Sequence, residues 1–221
     1  MIDHLRALEI ISRHRGDAVV VTTMSAGFVW PKVSANPGLD LMHSDAMGKI
    51  SSVGLGLALA LPGRRVIVLD GDGSLLMNLG TLVTIAHMAL RNLIHFVLGN
   101  DTYLTSGGQP IPNAGRIDFA GLATAAGYAG AHRFEEAESL GRELAAITAQ
   151  PGPTFVYLKV GPAWAASRAR NTPARAMLSR FQAALRGVYQ RMRPPATGAG
   201  GSSGDRALAA RIEKLRTRGR A

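Results

Sequence analysis

The chain has no cysteine in 221 residues, which excludes disulfide frameworks, thiolate zinc sites and cysteine nucleophiles. That absence carries no information about redox compartment. Aromatic residues are few, at 5%, and no apolar run reaches spanning length. The opening MIDHLRALEIISRHRG is broken by charge at Asp3, Arg6, Glu9, Arg13 and Arg15, so it reads as an amphipathic helix rather than an export signal. A cytoplasmic location without membrane insertion is the expectation.

The formal net charge is +10, yet it is unevenly spread. Residues 163–221 hold 13 Lys/Arg against 2 Asp/Glu, which leaves 12 against 13 for residues 1–162. The basic character therefore belongs to an appendage and not to the fold. Aromatic residues among the appendage's arginines are few, Tyr189 being one, and no nucleic-acid module is recognisable, so nucleic acid is not an expected partner. A body of this length fits one domain, here residues 1–187 with a core at 1–162.

Four strands are predicted at Asp17–Thr22, Arg65–Asp70, Leu93–Leu98 and Thr154–Val160, separated by helices at Ser51–Leu61, Leu75–Leu90 and Glu135–Gln150. Near-continuous apolar strands alternating with helices imply a doubly wound parallel α/β sheet, with helices on both faces. The aliphatic and Met positions of Leu75–Met88 read as core, and His87 and His95 as core or interface residues. Met177, Phe181, Leu185, Val188 and Met192 recur at helical spacing, predicting a packing helix over about 172–192. Residues 193–221, which include PPATGAGGSSG, read as a flexible basic tail.

The chemistry concentrates in VIVLDGDGSLLMNLGTLVTIAHMALRNLIHFVLGNDTYLTSGGQP. One strand runs into Gly71-Asp72-Gly73-Ser74, and the next ends at Asn100. A right-handed crossover brings both carboxyl ends to one sheet edge, so that Asp72 and Asn100 can share an ion. Two protein oxygens, completed by phosphate and water, suit Mg²⁺. Gly71 and Gly73 permit a tight turn, and a helix beginning at Ser74 offers N–H groups to an anion. Gly54-Leu55-Gly56 is not a dinucleotide fingerprint, because it follows no predicted strand and the third glycine position is Leu59.

This GDG followed by Asn resembles the signature of thiamine diphosphate enzymes. Two further segments carry the likeness: Asp45-Ala46-Met47-Gly48 ahead of ISSVGLGLALALP, and Thr23-Met24-Ser25 after the first strand. Residues 5–160 are most similar to the small (beta) subunits of sulfopyruvate decarboxylases and the matching half of phosphonopyruvate decarboxylases. The resemblance implies thiamine diphosphate and Mg²⁺ as cofactors, with Asp72, Asn100 and the carbonyl of Thr102 as metal ligands. It implies Gly71, Gly73 and Ser74 at the diphosphate, Thr23 toward the pyrimidine, Ser25 toward the diphosphate, and Met47 as the apolar wedge beneath the folded cofactor. Asp45, Gly48 and Tyr103 complete the cofactor set. His43, Gly107, Gly108 and Gln109, the last three following Ser106, would border the substrate. Four positions depart from the pattern: Gly99 where Asp or Asn is usual, Asp101 where Gly is common, and Asp45-Ala46 in place of Gly-Ser.

The resemblance further implies decarboxylation of a small 2-oxo acid. In this family the glutamate that activates the aminopyrimidine lies on a separate pyrimidine-binding domain. None of Glu9, Glu135, Glu136, Glu138, Glu143 and Glu213 stands in such a context. The expectation is a hetero-oligomer with a pyrimidine-binding (alpha-type) subunit, and no catalytic residue in this chain. An acetolactate synthase-like carboligase subunit and a non-catalytic cofactor-binding scaffold are the alternatives. Lys49 and Arg116 are candidate cations for an anionic substrate tail.

Overall fold

The structure, a computed structural model, describes residues 1–43, 47–162 and 178–186, and of Met42 and His43 the backbone. Asp45 lies outside the described residues, as do most of the expected packing helix and the whole tail. Residues 178–186 are helical, with Phe181 buried.

The chain opens with α1 (His4–His14), capped by Asp3, whose carboxylate accepts from the Arg6 N–H at 2.9 Å. It continues through β1 (Val19–Thr23), α2 (Met24–Val29), β2 (Asp40–His43), α3 (Ile50–Ala60) and β3 (Val66–Gly71). Next come α4 (Asp72–Leu76), α5 (Thr81–Met88), β4 (Leu93–Gly99) and a small hairpin of β5 (Thr102–Tyr103) and β6 (Gln109–Pro110). The last are α6 (Phe119–Ala126), β7 (Gly130–Phe134), α7 (Ala137–Ala149) and β8 (Thr154–Lys159).

Six strands form a parallel sheet in the order β2-β1-β3-β4-β8-β7. Alternate residues feed opposite faces. Val20, Ile67, Leu69 and Phe96 meet Leu8 and Ile11 of α1 and Leu140 and Leu144 of α7. Val19, Val21, Val68 and Val97 meet Ile50 and Ala58 of α3, Ile85 of α5 and Phe119 of α6. Each face is covered by helices, which accounts for the continuous apolar strands. Gly54 lets α3 lie against the sheet, since a Cβ there would collide with the Val68 side chain.

The four predicted strands occupy the centre of the sheet. The two unforeseen ones, β2 and β7, are its edges. β7 is mostly half-exposed, so it lacks the apolar run that marks a central strand. α2 and α6 were also unforeseen. The helix predicted over Leu75–Leu90 is broken. α4 ends at Leu76 and α5 starts at Thr81, because the Asn78 carboxamide is drawn to the Gly48 carbonyl at 3.0 Å and Gly80 is a poor helix former. Two residues assigned to core by sequence are exposed, Met77 at 60% and Val83 at 62%. His87 is exposed too, whereas His95 is fully buried between Tyr128, at 3.2 Å from Nδ1, and Asp70, at 3.4 Å from Nε2.

Candidate functional site

Strand order decides where a site can form. The chain leaves β1 for β2 on one side and returns to β3 on the other, so a crevice opens beyond the carboxyl ends of β1 and β3. Thr23 ends β1, Gly71 ends β3 with Asp72 next, and Asn100 follows β4. All of them line one cavity there, together with Ser25, Met47 and Thr102.

Asp72 is 2% exposed. Its Oδ1 accepts from the Gly73 N–H at 2.8 Å and its Oδ2 from the Asp101 N–H at 2.7 Å. Burial pushes this carboxyl up to about 6, against the pull of those two N–H groups; the Asp101 charge adds to the rise and Lys159 opposes it. Asn100 Oδ1 accepts from the Thr102 N–H at 2.9 Å and from the Thr102 hydroxyl at 3.1 Å. Among the described residues no three His, Asp or Glu side chains gather as a metal cage. A cation here would rely on one carboxylate, a carboxamide oxygen and a carbonyl. That hard-oxygen set, with room for phosphate and water, fits Mg²⁺.

The expected helix end needs correction. α4 begins at Asp72, not Ser74, and is five residues long. Its Gly73 N–H is taken up by Asp72, so the anion attraction expected of a helix terminus is much reduced. The Ser74 hydroxyl accepts from the Gly48 N–H at 3.0 Å. It thereby ties the Met47-Gly48 turn, where Gly48 has φ +71°, to the segment carrying Asp72.

Thr23 is 1% exposed, and its hydroxyl has no hydrogen-bond partner among the described residues. A buried orphan hydroxyl facing a cavity suits a polar ligand. Gly73 is required by close approach: a Cβ there would meet the Tyr103 ring at 2.6 Å. Tyr103 thus forms the wall opposite the GDG turn. Met24, at φ +49°, also lines the cavity, and its sulfur receives the Thr105 hydroxyl at 3.2 Å. The Ser106 hydroxyl contacts Met47 sulfur at 3.6 Å.

The two departures that can be inspected have local causes. At Gly99 a side chain would run into the Tyr157 hydroxyl, and Tyr157 is held by stacking on Phe119 at 5.2 Å. Asp101 adopts φ +63°, a left-handed conformation that favours glycine, and its carboxylate is paired with Lys159.

Other expected residues are not brought into the cavity. Gly107, Gly108 and Gln109 lie at the hairpin turn, exposed or half-buried, and do not line it. Lys49 and Arg116 are exposed elsewhere. The backbone of His43 ends β2, in register with Thr23. Sequence reasoning missed His4, which lines the cavity from the start of α1. No local signal marks it, because its position depends on pairing with a segment more than 150 residues away.

Comparison with known proteins gives the family and the fold. Residues 29–158 match the family described as thiamine pyrophosphate enzyme, C-terminal TPP binding domain. The sulfopyruvate decarboxylase subunit beta of Methanothermobacter thermautotrophicus is 43% identical over 145 residues, covering 66% of this chain and 75% of the relative. The phosphonopyruvate decarboxylase of Streptomyces viridochromogenes is 43% identical over 117 residues, 53% of this chain and 29% of the relative. The chain thus spans under a third of that second relative's length. The crystal structure of benzoylformate decarboxylase from Polynucleobacter necessarius superposes with a TM-score of 0.62 at 19% identity, over 73% of this chain and 33% of that one. That last likeness concerns the fold.

Proposed function

The chain belongs to the thiamine pyrophosphate enzymes through their C-terminal cofactor-binding domain, and from that premise we propose that it is the cofactor-holding polypeptide of a Mg²⁺-dependent 2-oxo acid decarboxylase of the sulfopyruvate or phosphonopyruvate type. The observation that carries this reading is the convergence of Asp72, Asn100, Thr102 and the unpartnered Thr23 hydroxyl on one cavity at the switch point of the sheet. The relatives named sulfopyruvate decarboxylase subunit beta and phosphonopyruvate decarboxylase support the reaction class.

When bound, thiamine diphosphate supplies the electron sink that accepts the electrons of the departing carboxylate. The protein's part is orientation and charge neutralisation. Asp72, Asn100 and the Thr102 carbonyl would hold Mg²⁺ against the diphosphate. Met47, beneath the cofactor, and Tyr103, packed against the GDG turn, would keep the cofactor folded and limit water. The Thr23 hydroxyl would satisfy a polar edge of the pyrimidine, and Ser25, two residues on, would meet the diphosphate. His43 and the loop of Gly107, Gly108 and Gln109 would border the substrate.

Among the described residues no glutamate lines the cavity. In this reading the cofactor is activated by a glutamate of a pyrimidine-binding partner, in a hetero-oligomer. The beta-subunit name of a relative of which this chain covers three quarters supports the same arrangement. Among the described residues no helix is long and apolar enough to cross a membrane, in keeping with a cytoplasmic enzyme.

The test is calorimetric titration of thiamine diphosphate into the full chain, with and without Mg²⁺, alone and with its pyrimidine-binding partner, followed by a 2-oxo acid screen of the complex. Saturable Mg²⁺-dependent binding and aldehyde release are expected. A 2-hydroxy acid or ketone as product would instead mark a carboligase, and no binding in either setting would overturn the reading.

A further inference from the structure

The N-terminal segment brings an unexpected group to the crevice. Ile2 pairs in parallel with Val160, just beyond the end of β8: the Ile2 N–H donates to the Lys159 carbonyl at 2.8 Å, and the Gly161 N–H to the Ile2 carbonyl at 2.9 Å. This added rung anchors the start of α1 at the carboxyl edge of the sheet. The Asp3 cap then fixes the first turn, and His4 becomes part of the cavity lining beside Thr23, Asp72 and Asn100.

His4 is 4% exposed, and among the described residues neither of its ring nitrogens has a hydrogen-bond partner. A neutral imidazole presents one donor and one acceptor. Burying both unmet is costly, so such a ring is retained where something enters to meet it. The His95 ring, also buried but on β4, has partners on both nitrogens, which sets His4 apart. Burial also lowers the His4 pKa to about 4, with only the Asp3 charge opposing. The ring is therefore neutral at ordinary pH and suited to a neutral donor role.

We propose that His4 is a further cofactor-contacting residue, its imidazole N–H donating to an oxygen of the diphosphate. This rests on the cofactor reading above. The diphosphate is favoured over the pyrimidine because the oxygen donors suited to Mg²⁺ and the GDG turn line the same cavity.

The test uses the full chain with Mg²⁺ and two probes, thiamine diphosphate and inorganic pyrophosphate. Their dissociation constants are measured by calorimetry for the unmutated chain, His4→Leu and His4→Gln, and the ring nitrogens of His4 are followed by NMR in ¹⁵N-histidine-labelled chain. The expected result is about tenfold weaker binding of both probes in His4→Leu, recovery toward the unmutated value in His4→Gln, and a shift of the His4 ring resonances with either probe. Equal affinities together with unmoved ring resonances would overturn the inference and leave the cofactor reading intact; a water-filled or purely structural role would look like this. If His4→Leu does not fold, the resonances of the unmutated chain decide. Failure of the unmutated chain to bind either probe, alone and with its pyrimidine-binding partner, would overturn both readings.

Discussion

The Asp101 N–H donates to Asp72 Oδ2 at 2.7 Å, linking the segments that follow two neighbouring parallel strands. The geometry depends on Asp101 holding φ +63°, with its carboxylate paired to Lys159 at the end of β8. Three strands thus combine to orient one carboxylate. Asp101→Gly, which keeps the left-handed backbone and its N–H, is expected to leave Mg²⁺-dependent cofactor affinity within about threefold. Asp101→Val is expected to weaken it about tenfold, because a β-branched residue is strained at this φ by on the order of 1 to 3 kcal/mol. Parallel calorimetric titrations of the two variants check the contrast.

Asp72→Asn keeps size but removes the charge that faces the cation. Mg²⁺-dependent binding of thiamine diphosphate is expected to fall by about a hundredfold or more, with secondary structure by circular dichroism unchanged. Undiminished affinity would remove Asp72 from the metal site.

At Gly73 the constraint is steric. The Cβ of Gly73→Ala would stand 2.6 Å from Tyr103, so the ring must swing out of the cavity wall. Cofactor affinity is expected to drop about tenfold while the chain stays folded. Combining it with Tyr103→Ala should cost less than the two single losses together, since both act on one contact. A double-mutant cycle measures the difference.

Restoring the family's acidic residue by Gly99→Asp should destabilise the chain by about 1 to 3 kcal/mol, because Tyr157 occupies that space. Combined with Tyr157→Ala it should cost less than the two single losses together, because the clash is gone. Urea unfolding of the three variants provides the comparison.

His4 makes the ligand-free chain acid-sensitive. Burial lowers its pKa to about 4 in the folded chain, against 6.5 for a free imidazole, so the unfolded chain binds more protons between these limits. Stability attached to the neutral ring is fully present above pH 6.5 and is lost as pH falls toward 4, by up to about 3 kcal/mol. The raised Asp72 carboxyl acts in the opposite direction over part of this window in both chains, so the contrast is read between them: from pH 7 to 4.5, urea unfolding should show a larger loss of stability in the unmutated chain than in His4→Leu. Equal slopes would remove the histidine as the cause.

Much was determined by sequence alone. The central strands announce themselves because burial on both faces demands unbroken apolar runs such as RVIVLD and LIHFVL. The interval between Asp72 and Asn100 is set by one crossover between adjacent strands, a local relation that spacing can carry. Edge strand β7 escaped because a half-exposed strand needs no such run, and β2 because its four residues, Asp40–His43, hold only two apolar ones. The break between α4 and α5 escaped because Asn78 answers to Gly48, thirty residues earlier. Only the tertiary structure decided that Ser74 fastens Gly48, that Tyr157 accounts for Gly99, that Lys159 steadies Asp101, and that the Ile2–Val160 rung carries His4 into the crevice. Each joins residues distant in the chain whose meeting is created by packing, so no local pattern of residue types encodes it.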